Sequence, residues 1–206
     1  MSRLPSITVG IAGGSGGIYA RRLLSILPLY YDRIDLVVSG AGRVVLRTEL
    51  GIEVPEEGIW DLDDGNEDIG QIRLWRLHNY SAPFASGSAC AEQMIILPCS
   101  MSTVASIAHG IDQNLLHHAA AVTIKEGKEL FIVPRETPLS AIHLRNLTTL
   151  AELGVAVIPA MPGFYGGEAT FDDLVDFVLQ KILNRLGVDH RLRERWGSDD
   201  RAAEIR

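Results

Sequence analysis

The sequence predicts a doubly wound, three-layer α/β fold with a mainly parallel sheet, and three observations predict it. Short β-prone apolar runs alternate with amphipathic helical stretches along the whole chain. The central runs are apolar on consecutive residues, as strands covered on both faces are. Hydroxyl-bearing and charged residues gather directly after these runs, where such sheets hold ligands.

Taken in order, Ile7–Ala12 reads as a buried strand, followed by Gly13-Gly-Ser-Gly-Gly17 and a helix from Ile18 to about Leu27. Ile34–Ser39 is a second strand. Gly40–Leu50 is a helix expected to turn Val44, Val45 and Leu46 inward. Residues 51–70 are acidic and form a surface excursion; they lack the 12-residue calcium-loop pattern with its terminal Glu. Ile72–Leu77 alternates apolar and polar residues as a short half-exposed strand does, and Ser81–Gly87 is a loop. Gln93–Pro98 is a buried strand, and two helices follow over Ser102–Gly110 and Asn114–Glu126. Leu130–Pro134 is another strand, and Pro138–Leu153 a helix stopped by Gly154. Val155–Pro159 is the last core strand. Thr170 caps the final helix, which runs to Leu186 with Asp172 and Asp173 in its first turn. One domain over residues 1–188 and a charged tail or oligomerisation arm over 189–206 are expected.

Composition narrows the function classes. Nineteen Lys and Arg against 26 Asp and Glu give a net charge of −7, which disfavours general nucleic-acid binding. No apolar run is long enough to span a bilayer, and no signal-peptide pattern is evident, so a cytoplasmic protein is expected. Cys90 and Cys99 fit neither a zinc set nor a disulfide framework. His117-His118 has no partner spacing for a metal, and no G-x-S-x-G elbow is present.

Four motifs follow strands. Gly13-Gly-Ser-Gly-Gly17 suits either a tight strand–helix turn or a backbone cradle for phosphate at a helix start. No carboxylate closes strand two, where Ser39 stands, so a mononucleotide fits better than a dinucleotide. Pro98-Cys-Ser-Met-Ser-Thr103 repeats that geometry, with Ser102 or Thr103 the expected cap. In Pro134-Arg-Glu-Thr-Pro138, Arg135 is a phosphate holder and Glu136 a general acid or base, or the two form a surface ion pair. In Pro159-Ala-Met-Pro-Gly-Phe-Tyr165, the aromatics either close a pocket or lid the sheet.

Together with Lys125-Glu126, His143-Leu and Asp173-Leu-Val-Asp-Phe177, these motifs resemble the flavin prenyltransferases of the UbiX family over about residues 6–188. The resemblance implies a flavodoxin-like (Rossmann-like) fold that binds reduced FMN and dimethylallyl phosphate. It implies prenylation of flavin N5 and C6 without a metal, a UbiD-type decarboxylase as recipient of the prenylated FMN, and a homo-oligomer, commonly a dodecamer with sites at subunit interfaces. It places Gly13, Gly14, Ser15, Ser39, Ser100, Met101, Ser102, Thr103 and Arg135 at FMN. Lys125, Tyr165 and Lys181 fall at the prenyl phosphate, and Ser15, Lys125 and Glu136 are the implied catalytic residues. Several positions depart from the usual pattern. His118 and Lys181 stand where arginine is common, Gly127-Lys128 replaces an arginine pair, Tyr80 stands near a usual tryptophan, and Gly14 and Gly17 replace alanines. Two other readings compete: a flavoprotein with different chemistry, and a flavin carrier or accessory subunit of a decarboxylase. A cysteine-decarboxylase-like chemistry needs a catalytic histidine after strand one, where Ser15 and Tyr19 stand instead.

Overall fold

A computed structural model describes residues 3–60, 71–164, 170–190 and 192. They fall into two compact units, divided between Met161 and Pro162. The first unit holds a seven-stranded sheet: β1 (Leu4–Ile11), β2 (Tyr31–Val38), β3 (Gly58–Ile59), β4 (Gln71–Trp75), β5 (Gln93–Cys99), β6 (Glu129–Pro134) and β7 (Ala156–Val157). Its order is β3-β4-β2-β1-β5-β6-β7, and every pairing is parallel except that of β3 with β4. The chain winds outward from β1 through β2 to β4, then returns to start β5 on the other side of β1. The switch point therefore lies between β1 and β5, where a ligand crevice is expected at the carboxyl edge.

Helices α1 (Gly17–Ile26), α2 (Gly40–Leu50), α3 (Met101–Ala108), α4 (Leu115–Lys125) and α5 (Ala141–Glu152) cover the sheet. Successive residues of β1 show which helix takes which face. A Cβ on Gly10 would touch Leu116 of α4, whereas Ile11 meets Gly42 of α2. Thus α2, with α1 against it, covers one face; α4, α3 and α5 pack on the other. Between the layers Val9, Ile11, Ile34, Leu36, Ile95, Ile96, Ile132 and Val133 are fully buried or nearly so. Asp35 is the exception in the middle of β2. It is 1% exposed and accepts from the Trp75 indole Nε1 at 2.9 Å and from Arg33 Nε at 2.9 Å.

The second unit contains α6 (Phe171–Arg185). Thr170 caps it, and Thr170 and Asp173 form a reciprocal capping box. Along this helix Val175, Val178, Leu179, Ile182 and Leu183 make the buried stripe.

The structure bears out the alternation of strands and helices and corrects several details. Val44 is 58% exposed, because the inward stripe of α2 runs through Gly42, Val45 and Leu46 and leaves Val44 on the outer side. The α3 cap is Ser100 rather than Ser102 or Thr103; its Oγ accepts from Thr103 N at 3.3 Å, and the extended backbone ends there, two or three residues earlier than expected. Helix α5 starts at Ala141 rather than Pro138, since Ser140 and His143 form a capping box that fixes its first turn. Gly154 follows this helix at φ 85°, as expected of a stop residue. Strand β7 pairs over only two residues, and β3, unforeseen within the acidic excursion, adds a short antiparallel edge.

Candidate functional site at the carboxyl edge of the sheet

Four adjacent strands, β2, β1, β5 and β6, end side by side, and each releases a polar residue at the same edge. After β2, Ser39 caps α2 by accepting from Gly42 N at 3.0 Å, while its own N–H donates to Ile11 O at 2.9 Å. After β5, Ser100 caps α3. Its Oγ lies 3.0 Å from Ser102 Oγ and donates to Thr103 Oγ1 at 3.0 Å, so three hydroxyls share one cluster, with Met101 buried beneath. Ala12 N donates to Pro98 O at 3.0 Å and fastens the β1 and β5 ends together.

Close backbone approach explains the glycines here. A Cβ on Gly13 would lie 2.5 Å from Ala41 Cβ, and one on Gly42 2.6 Å from Ile11 O. Gly16 has φ 117°, a left-handed conformation that glycine adopts at no steric cost. The loop thus turns tightly enough to aim the start of α1 at the edge.

The first amides of α1 do not point at open space. Gly17 N donates to Glu49 Oε2 at 2.7 Å, and Gly16 N donates to both carboxylate oxygens at 3.0 and 3.2 Å. The Ser15 hydroxyl also bonds to this carboxylate. Of the two readings of this motif, the tight strand–helix turn is the one these bonds describe: a side chain of α2 accepts from the first amides of α1. Burial pushes the Glu49 carboxyl up, but the bonds from Ser15, Gly17 and Gly16 and the charge of Arg135 outweigh it. The net result holds Glu49 below its ordinary value of 4.5, so it is a carboxylate at neutral pH.

Arg135, after β6, reaches across the edge, and its Nε donates to Ser15 O at 2.9 Å. Tyr19 on α1 lies in the same field: burial raises its phenol and Arg135 draws it part of the way back. Glu136, the next residue, is exposed, and its Oε1 accepts from Thr137 N at 3.0 Å.

The edge therefore unites Gly13, Gly14, Ser15, Ser39, Ser100, Met101, Ser102, Thr103 and Arg135, and adds Glu49, which the sequence reading missed. A signal for Glu49 exists. It sits seven residues after Gly42 and three after Leu46, an exposed carboxylate at helical spacing from the two buried residues of α2. Lys125 is not brought to this edge. It ends α4, four residues before β6 begins at Glu129, and so lies at the amino edge. The full length of β6, about 20 Å, separates it from Arg135 in the same chain. Lys125 Nζ pairs there with Glu126 Oε1. Lys181 lies in the second unit, its Nζ 5.5 Å from the Phe177 ring centroid. Tyr165 lies outside the described residues. Among the described residues, no group of three His, Cys, Asp or Glu could hold a metal, and no helix is long and apolar enough to cross a membrane.

A hydroxyl-lined edge with one fixed arginine, at the switch point of a parallel sheet, defines a mononucleotide-binding α/β protein. The Flavoprotein family profile matches residues 1–183. Flavin prenyltransferase UbiX of Halalkalibacterium halodurans is 44% identical over 192 residues, 93% of either chain. The structure of AnUbiX in complex with FMN and dimethylallyl pyrophosphate is similar at TM-score 0.82 and 29% identity, over 96% of this chain and 100% of that one. A dodecameric FMN-dependent UbiX-like decarboxylase from Escherichia coli O157:H7 matches at TM-score 0.80 and 33% identity, over 92% and 98%. The chain belongs to the UbiX flavin prenyltransferase family.

Proposed function

We propose that this protein transfers a dimethylallyl group from dimethylallyl phosphate to N5 and C6 of reduced FMN. The observation that carries the proposal is the meeting of Ser15, Glu49 and Arg135 at the switch point, beside the capped starts of α2 and α3. The edge fits a flavin mononucleotide. Ser39, Ser100, Ser102 and Thr103 offer hydroxyls, and the Arg135 guanidinium keeps its Nη donors for an anion while its Nε holds Ser15. Reduced FMN supplies the nucleophilic ring atoms, and dimethylallyl phosphate supplies the electrophilic carbon and the leaving phosphate.

The chain's own groups then have distinct tasks. Glu49, a carboxylate bonded to Ser15, accepts through that hydroxyl the proton displaced when the N5–carbon bond forms and the phosphate leaves with the C–O electron pair; in the ring closure that follows, the prenyl double bond takes up one proton and C6 gives up one, so that step is proton-neutral. Glu136, exposed after β6, assists proton movement and the departure of the phosphate. Lys125, Tyr165 and Lys181 stabilise the negative charge on that phosphate. Because Lys125 stands at the far edge of its own sheet, it serves the site of a second copy. A homo-oligomer with shared sites, such as a dodecamer, accommodates this. The prenylated FMN goes to a UbiD-type decarboxylase. The two free thiols, Cys90 and Cys99, accord with a cytoplasmic location.

The test is anaerobic incubation with reduced FMN and dimethylallyl phosphate, followed by mass analysis of the extracted flavin. A gain of one prenyl unit is expected. Tightly bound but unmodified FMN would overturn the proposal in favour of a flavin carrier.

A further inference from the structure

Lys125 ends α4 beside a segment that is fastened along that helix. The segment between β4 and β5, residues 76–92, leaves the carboxyl edge and runs along the whole of α4 to the amino edge. It is fastened at successive points. Leu77 O accepts from Leu115 N at 2.8 Å, and Ala85 O lies 3.1 Å from His118 Nε2. Glu92 pairs with Lys128 just past the helix. Behind it, Phe84 meets Trp75 edge to face at 5.9 Å, and Trp75 is anchored on the buried Asp35.

Between these fastenings, at the last turn of α4, Glu126 lies directly against Gly87. A Cβ on Gly87 would lie 2.5 Å from Glu126 Cδ and 3.0 Å from its Cγ, closer still to Oε1. The same Oε1 holds the Lys125 ammonium. Gly87 has no positive φ, so its missing side chain serves space rather than backbone conformation. The Glu126 carboxylate thus occupies the notch that Gly87 leaves and pairs there with the cation beside it.

We propose that Glu126, seated in the Gly87 notch, is a positioning residue for Lys125, setting the place from which this ammonium meets a phosphate. The proposal rests on the prenyl-transfer reading above. Glu126 does not touch the reacting atoms; it acts through Lys125. A lysine carries four rotatable bonds, so an ammonium without an anchor samples many positions and loses much of its value as a fixed donor. Alanine at position 87 displaces the carboxylate without straining the backbone, because the atoms it meets belong to the far end of a flexible side chain.

The experiment compares wild type, Glu126→Gln, Gly87→Ala and the double variant in steady-state prenylation of reduced FMN. Light scattering verifies that the assembly mass is unchanged. Each single variant raises KM for dimethylallyl phosphate about tenfold, the loss of one well-placed charge-assisted bond. Turnover at saturation and FMN affinity stay within twofold of wild type. The double variant is no worse than either single one, since both remove the same anchor. In parallel, NMR of isotope-labelled dimethyl-lysines follows Lys125 directly, and its resonance moves alike in both variants. Unchanged KM in active Glu126→Gln, or multiplying effects in the double variant, overturns the positioning role while leaving prenyl transfer intact. If wild type modifies no flavin, the prenyl-transfer reading fails. The NMR then decides alone: a Lys125 resonance that shifts in both variants sustains the anchor, and one that ignores Gly87→Ala refutes it.

Discussion

Replacing Glu49 by Gln changes one oxygen to an amide nitrogen at the point where three donors converge. Gly16 N, Gly17 N and the Ser15 hydroxyl all give hydrogen bonds to the carboxylate. An amide offers a single acceptor oxygen, and its NH2 faces a donor. Bonds to charged groups contribute about 1.5–3 kcal/mol each and are about twice as strong as neutral ones. Two are weakened here and one is lost, but Glu49 is open to water, which screens part of the effect. A loss of about 1–2 kcal/mol remains, a fall of roughly 2–8 °C in Tm for a protein of this size. The effect on turnover is larger, because the proton displaced at the flavin has no acceptor: kcat falls about a hundredfold or more. The assays are a calorimetric scan and anaerobic product formation. The pH dependence separates the two effects. The folded-state value of Glu49 is depressed below 4.5, so its stabilisation is complete above that pH and is lost as the pH falls through the lower, folded value. Wild type and Glu49→Gln therefore differ in Tm at pH 7 and converge in strong acid. A variant that turns over within twofold of wild type, or a Tm difference that grows on acidification, refutes this reasoning.

Other consequences follow from the same geometry. Arg135→Ala lowers FMN affinity about 10- to 100-fold by flavin-fluorescence titration, and Arg135→Lys restores only part of it, because an ammonium cannot hold Ser15 O and a phosphate with one rigid fork. Trp75→Phe keeps the ring contact with Phe84 but leaves Asp35 Oδ1 without its indole partner, at a cost of about 1–3 kcal/mol in urea denaturation. Lys125→Ala and Glu49→Gln chains are each strongly impaired alone, yet when unfolded and refolded together they regain about a quarter of wild-type turnover if sites are shared between copies. No recovery on mixing would place Lys125 outside the neighbouring site.

Much of the fold was legible because it rests on local signals. Thr170 with Asp173, and Gly154 after α5, mark helix ends through short-range bonds that neighbouring residues make. Consecutive apolar residues at 94–97 and 130–133 mark strands covered on both faces. The residues of the carboxyl edge were legible as groups because each group follows a strand, and parallel strands deliver their ends to one edge. Glu49 was not legible from motifs, since its partners lie 32 and 33 residues away and meet it only when α1 packs on α2. Its one trace is a carboxylate at helical spacing from Gly42 and Leu46. Lys125 shows the opposite failure. Its motif was clear, but only the topology reveals that α4 ends at the far edge from Arg135. The Gly87–Glu126 contact spans 39 residues and depends on the segment 76–92 lying along α4, which no local pattern encodes.

The most direct measurement is a single-turnover reaction of enzyme-bound reduced FMN with dimethylallyl phosphate in the absence of oxygen, following inorganic phosphate and flavin mass together. Prenyl transfer at this site requires one phosphate released for each flavin that gains a prenyl unit, with both signals slowed together, about a hundredfold or more, in Glu49→Gln. Phosphate release without a change in flavin mass, or a flavin that stays bound and unmodified throughout, would contradict it.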